Sequence, residues 1–307
     1  MTPTSTLRFT AQAQADLDRL NQRMVDLHRQ IGSGAKFEDL KGFGGSSGAL
    51  LNAQSLKAAA EAKSAVIDQL QARFDVQGAA LQQVADAART LSQGIRTAIS
   101  ANDGRGISTD LELSFASVVS ALNETWNGQP LFAGERNGAG PVKIDTLQQL
   151  VAAATPTDIF DEAVREQTID MGAGAPVVVA KKASELSQGM FDAMRDLQVL
   201  INSNGGAIGQ PITGAQQASL QSIVDRLNSQ ASAFNTESGR AGQVQAQLKT
   251  QSTQLQARSD LLAKEIGDQR DADLAQVSIQ LNLLMTQYQA SAKTFADLSK
   301  LTLLNYL

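Results

Sequence analysis

Few residues of this chain have the types and spacing that enzymatic chemistry needs. His28 is the only histidine, and without a cysteine or a second histidine it cannot complete a usual zinc site, so we interpret it as structural or solvated. Asp271 and Asp273 stand at a predicted helix start, where carboxylates more often complement the helix dipole than form an acid–base pair. We therefore predict that the chain is not an enzyme and has no catalytic, metal-binding or cofactor-binding residues.

A glycine-rich stretch at residues 42–48 superficially resembles a phosphate-binding loop. It follows a predicted helix instead of a strand, Ser47 takes the place of the third glycine in G-x-G-x-x-G, and no lysine occupies the Walker position. We predict a loop that binds no nucleotide.

The composition limits the function classes further. A formal net charge of −5 argues against nucleic-acid binding, and the absence of cysteine excludes disulfides and thiolate nucleophiles. The sequence has neither a run of about 18 apolar residues nor a leader-peptide pattern, so we expect no membrane insertion and no cleaved signal peptide. Aromatic residues make up only 4% of the chain, which is typical of long packed helices.

The C-terminal region carries an unbroken stripe with helical spacing. Between residues 274 and 307 only Lys293, Asp297 and Lys300 are charged, whereas a helix on the outside of a monomer normally has a strongly charged outer face. We therefore predict a long helix that neighbours cover on several sides. Its stripe alternates spacings of three and four residues through Leu274, Val277, Leu281, Leu284, Tyr288, Ser291, Phe295, Leu298, Thr302 and Asn305.

The N-terminal region carries a matching stripe that ends before Gly32-Ser33-Gly34, a glycine-rich helix end. We predict that the N- and C-terminal helices pack antiparallel as a coiled coil. Such stripes can form an internal core or contacts between chains, and the low charge favours contacts between chains. The predicted assembly interface comprises Leu17, Leu20, Met24, Leu27, Ile31, Leu274, Val277, Leu281, Leu284, Tyr288, Phe295 and Leu298.

The sequence in the middle of the chain predicts further helices and then a change from helices to strands. Stripes at 49–100 and 220–262 predict long helices with an internal core, and a helix is predicted at 109–127 with Thr109 as its N-cap. A glycine- and proline-rich change near residue 128 precedes two strand patterns, at 166–170 and 176–180. The predicted fold is mainly α: a long antiparallel helical rod with paired N- and C-terminal coiled-coil helices and a small inserted α+β domain.

Five divisions follow from this interpretation. They are the N-terminal helix and loop of a terminal assembly domain (1–45), the first half of the rod (46–135), the inserted outer domain (136–180), the second half of the rod (181–267) and the C-terminal helix of the assembly domain (268–307). A helix break is predicted at Gly267-Asp268. Because the inserted domain begins and ends near one point of the rod, the sequence predicts that its deletion is tolerated.

Three segments are similar to those of a known family. Residues 299–307, with the sequence SKLTLLNYL, resemble the C-terminal end of hook–filament junction proteins, the hook-associated protein 3 family within the bacterial flagellin superfamily. Residues 30–36 resemble the helix end and turn of both flagellins and junction proteins, and residues 128–134 resemble the segment where the helical domain gives way to the outer domain. The loop at 37–43 departs from the family pattern, and the usual flagellin ending in Leu-Leu-Arg is absent.

This resemblance implies a structural function in the bacterial flagellum. It implies self-assembly into a tubular ring that joins the hook, through hook-associated protein 1, to the flagellin filament. It also implies export by the flagellar type III apparatus with a chaperone, and hence an extracellular location at the hook–filament junction. The alternatives are a minor filament flagellin, which belongs to the same class, and a secreted coiled-coil effector, which does not.

Overall fold

The computed structural model describes the backbone of residues 3–169 and 177–304. This part of the chain is mainly α-helical, which confirms the predicted fold class. The α-helices are α1 (Pro3–Ser33), α2 (Ser47–Ala101), α3 (Ile107–Leu122), α4 (Leu147–Ala152), α5 (Ala183–Ser203), α6 (Gly214–Arg270) and α7 (Leu274–Leu304). Short 3-10 helices occupy Leu40–Ser46 and Pro156–Ile159, and short strands occupy β1 (Thr125–Trp126), β2 (Gln129–Pro130), β3 (Gln167–Ile169) and β4 (Val177–Ala180).

The chain divides into two compact units. Unit 1 comprises Met1–Ser64 and Thr253–Leu307, and unit 2 comprises Ala65–Ser252. Unit 1 therefore contains α1, α7 and one end of each of the long helices α2 and α6, whereas unit 2 contains the other ends of these helices and the shorter elements from α3 to α5. The five divisions made from the sequence differ from these units and stay a prediction.

The core of unit 2 forms between α2, α3, α5 and α6. Apolar residues that recur every three or four positions share one helix face, and in this unit those faces are buried. α2 and α6 run antiparallel, because Ser92 bonds to Asn228 (3.0 Å) while Gln245 donates to Asp75 (2.7 Å). Fully buried core residues include Leu81, Leu91, Ile95, Leu111, Leu122, Phe191, Leu197, Leu220 and Leu227.

The described residues of the segment 136–180 contribute to this same core. Phe160 contacts the ring of Phe191 edge to face, with centroids 5.7 Å apart, and Phe191 in turn contacts Phe115 at 6.1 Å. The core therefore joins α3 and α5 to the segment that the sequence marks as inserted. Its buried members from this segment include Val142, Ile144, Leu147, Leu150, Ile159 and Phe160.

The strands β3 and β4 form an antiparallel pair in unit 2. The pair is tied to both long helices, because Arg73 of α2 donates to the Gln167 side chain (2.5 Å) and Arg240 of α6 donates to the Val178 carbonyl (3.3 Å). The two predicted strands are confirmed, and the predicted connecting residues 171–175 lie outside the described part of the chain.

The predicted helix at 109–127 is wrong at both ends. α3 begins at Ile107, so Thr109 is not its N-cap, and α3 ends at Leu122. At this helix end the Asn123 side chain donates to the Val142 carbonyl and accepts from the Val142 N–H, at 2.9 Å each, which ties the end of α3 to the following segment. The chain then turns between β1 and β2 at Asn127 and Gly128, whose φ angles of 51° and 76° suit a tight hairpin.

A membrane span would need a long apolar helix. Within residues 3–169 and 177–304 no helix has both the length and the apolar character to cross a bilayer.

Candidate assembly interface

α1 and α7 pack against each other in unit 1. Leu27 of α1 forms a buried apolar cluster with Val277 and Leu281 of α7, and Met24 and Leu284 pack at its edge. The two helices are antiparallel, because backbone bonds join the end of α1 to the start of α7. The sequence-based prediction of paired, antiparallel N- and C-terminal helices is therefore confirmed.

The end of α1 and the start of α7 meet in a small backbone clasp, which consists of residues 34–36 and 268–272. Lys36 N–H donates to the Arg270 carbonyl (2.8 Å), and Ala272 N–H donates to the Gly34 carbonyl (2.9 Å). Between these bonds Ala35 is buried. Gly34 has φ +70°, a left-handed conformation that ends α1 and turns the chain into the clasp. The clasp fixes where α1 lies along α7.

The Lys36 side chain strengthens this clasp at the end of α6. Its ammonium donates to the carbonyls of Asp268 (2.6 Å) and Gln269 (3.3 Å), and Gln30 donates to the Lys36 carbonyl (3.1 Å). The last carbonyls of a helix have no partners within the helix and form its negative dipole end, so a cation there is favourable. Lys36 is a positioning residue that sequence reasoning missed, because its partners lie at the far end of the chain.

Asp273 caps α7 at its N-terminus. Its Oδ1 atom accepts hydrogen bonds from the backbone N–H groups of Ala275 and Gln276, both at 3.1 Å. These bonds satisfy two of the donors that a helix start leaves free. The geometry supports the interpretation of Asp273 as a helix-start carboxylate.

The predicted helix break before α7 is present, but it lies further along the chain than Gly267-Asp268. α6 continues to Arg270, and the break falls at residues 271–273. A glycine inside a helix weakens the helix without ending it. The helical pairing ends at Ala272, whose N–H donates to the Gly34 carbonyl (2.9 Å), and Asp273 then caps α7.

The chain covers the predicted interface residues to different extents. Leu27, Val277 and Leu281 are buried, Leu17, Leu20, Met24, Leu284, Tyr288 and Phe295 are half-buried, and Ile31 and Leu274 are exposed. Leu298 lies outside the residues whose side chains the structure describes. The centre of the predicted interface is therefore occupied by the contact between α1 and α7 of the same chain. A role of these residues between chains stays a prediction.

α7 also has exposed apolar side chains outside this seam. Ile279 and Leu283, four residues apart and on one face, are 70% and 58% exposed. Leu283 also lines an open groove of about 420 Å³ between α1 and α7, together with Arg23 and Gln287. The sequence signal was present as an apolar pair on a charge-poor helix. The predicted interface followed the three–four stripe instead, and therefore left out Ile279 and Leu283.

Metal and cofactor binding would need converging ligands. In the described part of the chain, no group of three or more His, Asp or Glu side chains is placed to hold a metal ion.

Comparison with known proteins relates this arrangement to flagellar proteins. Residues 222–307, which contain most of α6 and all of α7, match the family model described as the bacterial flagellin C-terminal helical region. No curated protein matches the chain by sequence.

Two solved structures are similar in fold. One is a Vibrio parahaemolyticus protein whose assignment as a flagellar hook-associated protein is provisional, with a TM-score of 0.58 and 15% identity over 73% of this chain and 96% of that one. The other is Bacillus cereus FlgL, with a TM-score of 0.51 and 12% identity over 71% of this chain and 98% of that one. At these identities the comparison establishes the fold.

Proposed function

We propose that this protein is a structural subunit of the bacterial flagellum. The observation that carries the proposal is the antiparallel pair of α1 and α7, which joins the N- and C-terminal helices and leaves apolar side chains of α7 in solvent. α7 lies within the region that matches the flagellin C-terminal helical model. Exposed apolar faces on a helix pair mark a surface that partners cover.

Within the flagellum, we propose the role of hook-associated protein 3, the adaptor that joins the hook to the filament. The closing sequence at 299–307 resembles that of junction proteins, and the fold is similar to that of the two solved structures. The proposed partners are further copies of the chain in a tubular ring, hook-associated protein 1 on the hook side and flagellin on the filament side. Export by the type III apparatus with a chaperone and a final extracellular location complete the proposal.

A minor filament flagellin is the second candidate, and the match to the flagellin C-terminal model favours it. A secreted coiled-coil effector has less support, since neither the family model nor the two similar structures point to one.

The location of the protein along the flagellum tests these candidates. Antibodies raised against the purified chain should label isolated flagella at the hook–filament boundary in immunogold electron microscopy. Cells that lack the protein should carry hooks without filaments, and the wild-type chain should restore them. Antibodies against the major flagellin serve as the control and should label the shaft. Labelling of the shaft by the first antibody would identify a flagellin, and the absence of label from flagella would refute the proposal.

A further inference from the structure

Val164 is an apolar side chain that a fixed loop presents to solvent in unit 2. It is 94% exposed, more than the other exposed large apolar residues of the described part of this unit. Backbone bonds hold both of its neighbours: Ala163 N–H donates to the Ala133 carbonyl (2.9 Å), and Glu135 N–H donates to the Arg165 carbonyl (3.1 Å). Val164 therefore projects from a supported backbone, although it contributes nothing to the core.

The same unit contains an open groove between α2 and α3. The groove measures about 560 Å³, with the small residues Ala87 and Ser114 buried at its base and longer side chains along its walls. Leu113 forms one wall and is 67% exposed. Gln83 bonds across the groove to Ser117, at 3.2 Å between side chains, so the two helices that form the groove are tied together.

We propose that Val164 of one copy inserts into this groove of a second copy. The groove has Leu113 on one wall and the small residues Ala87 and Ser114 at its base, so an apolar side chain on a supported loop can contact Leu113 there. Charge favours the same pairing, because the exposed Arg165 follows Val164 and the carboxylate of Asp86, more than half exposed, lies in the groove wall. Within the chain, Asp86 already accepts hydrogen bonds from Arg89 (2.8 Å) and Gln82 (2.9 Å), both at Oδ1, and its side chain stays 58% exposed.

The contact joins two different patches of unit 2. A contact between different patches is heterologous, and it continues from copy to copy as a ring or a helical array instead of closing as a two-fold dimer. The inference rests on the proposed function in one respect only: assembly of this chain would use the contact. It adds a subunit contact outside the terminal helices.

Disulfide trapping tests the contact cleanly, because the chain has no cysteine. A V164C/L113C double variant is oxidised in two samples, the concentrated purified protein and isolated flagella, and analysed on non-reducing gels. The expected result is a ladder of linked oligomers in at least one sample, since each copy offers both the Val164 loop and the groove. A one-to-one mixture of V164C and L113C chains should stop at dimers, and each single variant alone should give none. Both positions are exposed, so unfolding midpoints should equal that of the wild type.

Matched variants decide what a ladder means. V199C/L113C carries its first cysteine on another exposed valine of unit 2 and should give no ladder. R165E should weaken the V164C/L113C ladder, and the added D86K change should restore it by reversing the charge pair. No ladder in either sample, an equal ladder from V199C/L113C, or efficient dimers from L113C alone would each overturn the contact.

The test also separates this inference from the proposed function. Immunogold label at the hook–filament boundary without a ladder would leave the function standing and refute the contact. A ladder in the purified protein with no label on flagella would support the contact and refute the flagellar function.

Discussion

The core of unit 2 and the α1–α7 pair of unit 1 differ in how completely the chain buries their apolar residues. In unit 2, large side chains such as Leu91, Leu111 and Phe191 are fully buried among residues from several helices. In the α1–α7 pair, the buried cluster is formed by Leu27, Val277 and Leu281, and α7 still exposes apolar side chains on its other face.

This difference indicates where the stability of the molecule is expected to reside and where partners are expected to bind. A core enclosed by several helices gains its hydrophobic stabilisation within one chain. Two packed helices with one narrow seam gain much less, because isolated helices are marginal in water and draw most of their stability from packing. The α1–α7 pair is therefore the part of the molecule whose stability increases most when other chains cover it.

The strongest test of the comparison removes residues 136–180 and joins the ends with a short Gly-Ser linker. We expect unit 2 to lose its cooperative unfolding transition, because the deletion removes Leu147, Leu150, Ile159 and Phe160 from the core. At about 1.5–3 kcal/mol for each buried side chain, the loss approaches the whole stability of a typical domain, about 5–15 kcal/mol. Thermal unfolding followed by the fluorescence of Trp126, the single tryptophan, measures it. This expectation reverses the one made from the sequence alone.

Point variants in the same segment serve as controls for the deletion. Phe160→Ala should cost about 3–5 kcal/mol, because its ring packs on Phe191. Val164→Ala lies a few residues further along but is exposed, so it should leave the midpoint of unit 2 unchanged. A deletion variant that unfolds cooperatively with a wild-type midpoint would show that unit 2 does not need the segment.

A smaller effect, confined to the other unit, is expected from Leu281→Asp. Leu281 lies in the buried seam with Leu27 and Val277, and an unpaired charge in an apolar contact costs several kcal/mol, about 2–7 for a polar group without a partner. We expect loss of α1–α7 pairing and of filament attachment. Circular dichroism should show less helix, whereas the Trp126 fluorescence midpoint should stay at the wild-type value because Trp126 packs in unit 2.

Asn282→Asp introduces the same charge at the next residue, which is exposed. This control should keep both the helix content and motility. If Leu281→Asp lowered the Trp126 midpoint as strongly as the helix content, the α1–α7 pair would belong to the folding core of unit 2, and the contrast between the two units would be lost.

Sequence periodicity predicted the elements whose contacts follow from the spacing of apolar residues alone. The stripe through Leu27 and the stripe through Val277 and Leu281 predicted two helices and their pairing, because a three–four repeat puts those residues on one face. The Asn127-Gly128 dipeptide, a strong hairpin signal, was available in the sequence and would have predicted β1 and β2. The predicted helix at 109–127 instead included Asn127.

Other features could not be predicted from local sequence. Lys36 meets the end of α6 through contacts that span more than two hundred residues of chain, and no periodicity records them. The packing of Phe160 on Phe191 likewise depends on how separate elements meet. Glycine and proline near residue 128 mark a change of backbone, but they do not show whether the segment that follows has its own core.

The clasp allows a subtler test of unit 1. Lys36→Met keeps most of the apolar stem but removes the ammonium that bonds to the Asp268 and Gln269 carbonyls. We expect a loss of about 1 kcal/mol, the usual net value of a hydrogen bond, seen as faster hydrogen exchange in the first turns of α7 with no change in unit 2. Lys41→Met, at an exposed position in the following 3-10 helix, is the matched control. Equal exchange rates in the two variants would mean that the backbone bonds of the clasp suffice without Lys36.

The smallest expected effect lies at the surface of unit 2, in the turn between α2 and α3. Asp103 accepts side-chain hydrogen bonds from Arg105, at 2.6 and 2.9 Å, and a further bond from the Arg105 N–H. These bonds lower the pKa of Asp103 from its usual 3.8 to about 2. Because the pKa is lower in the folded state, the carboxylate's contribution to stability is complete above the usual pKa and is lost as the pH falls through about 2.

An NMR titration of the Asp103 carboxyl carbon should place the midpoint near 2, and Arg105→Gln should return it towards 3.8. Since the pair is exposed, the variant should change the Trp126 unfolding midpoint far less than Phe160→Ala does; a comparable loss would show that the surface turn, and not the core, limits the stability of unit 2.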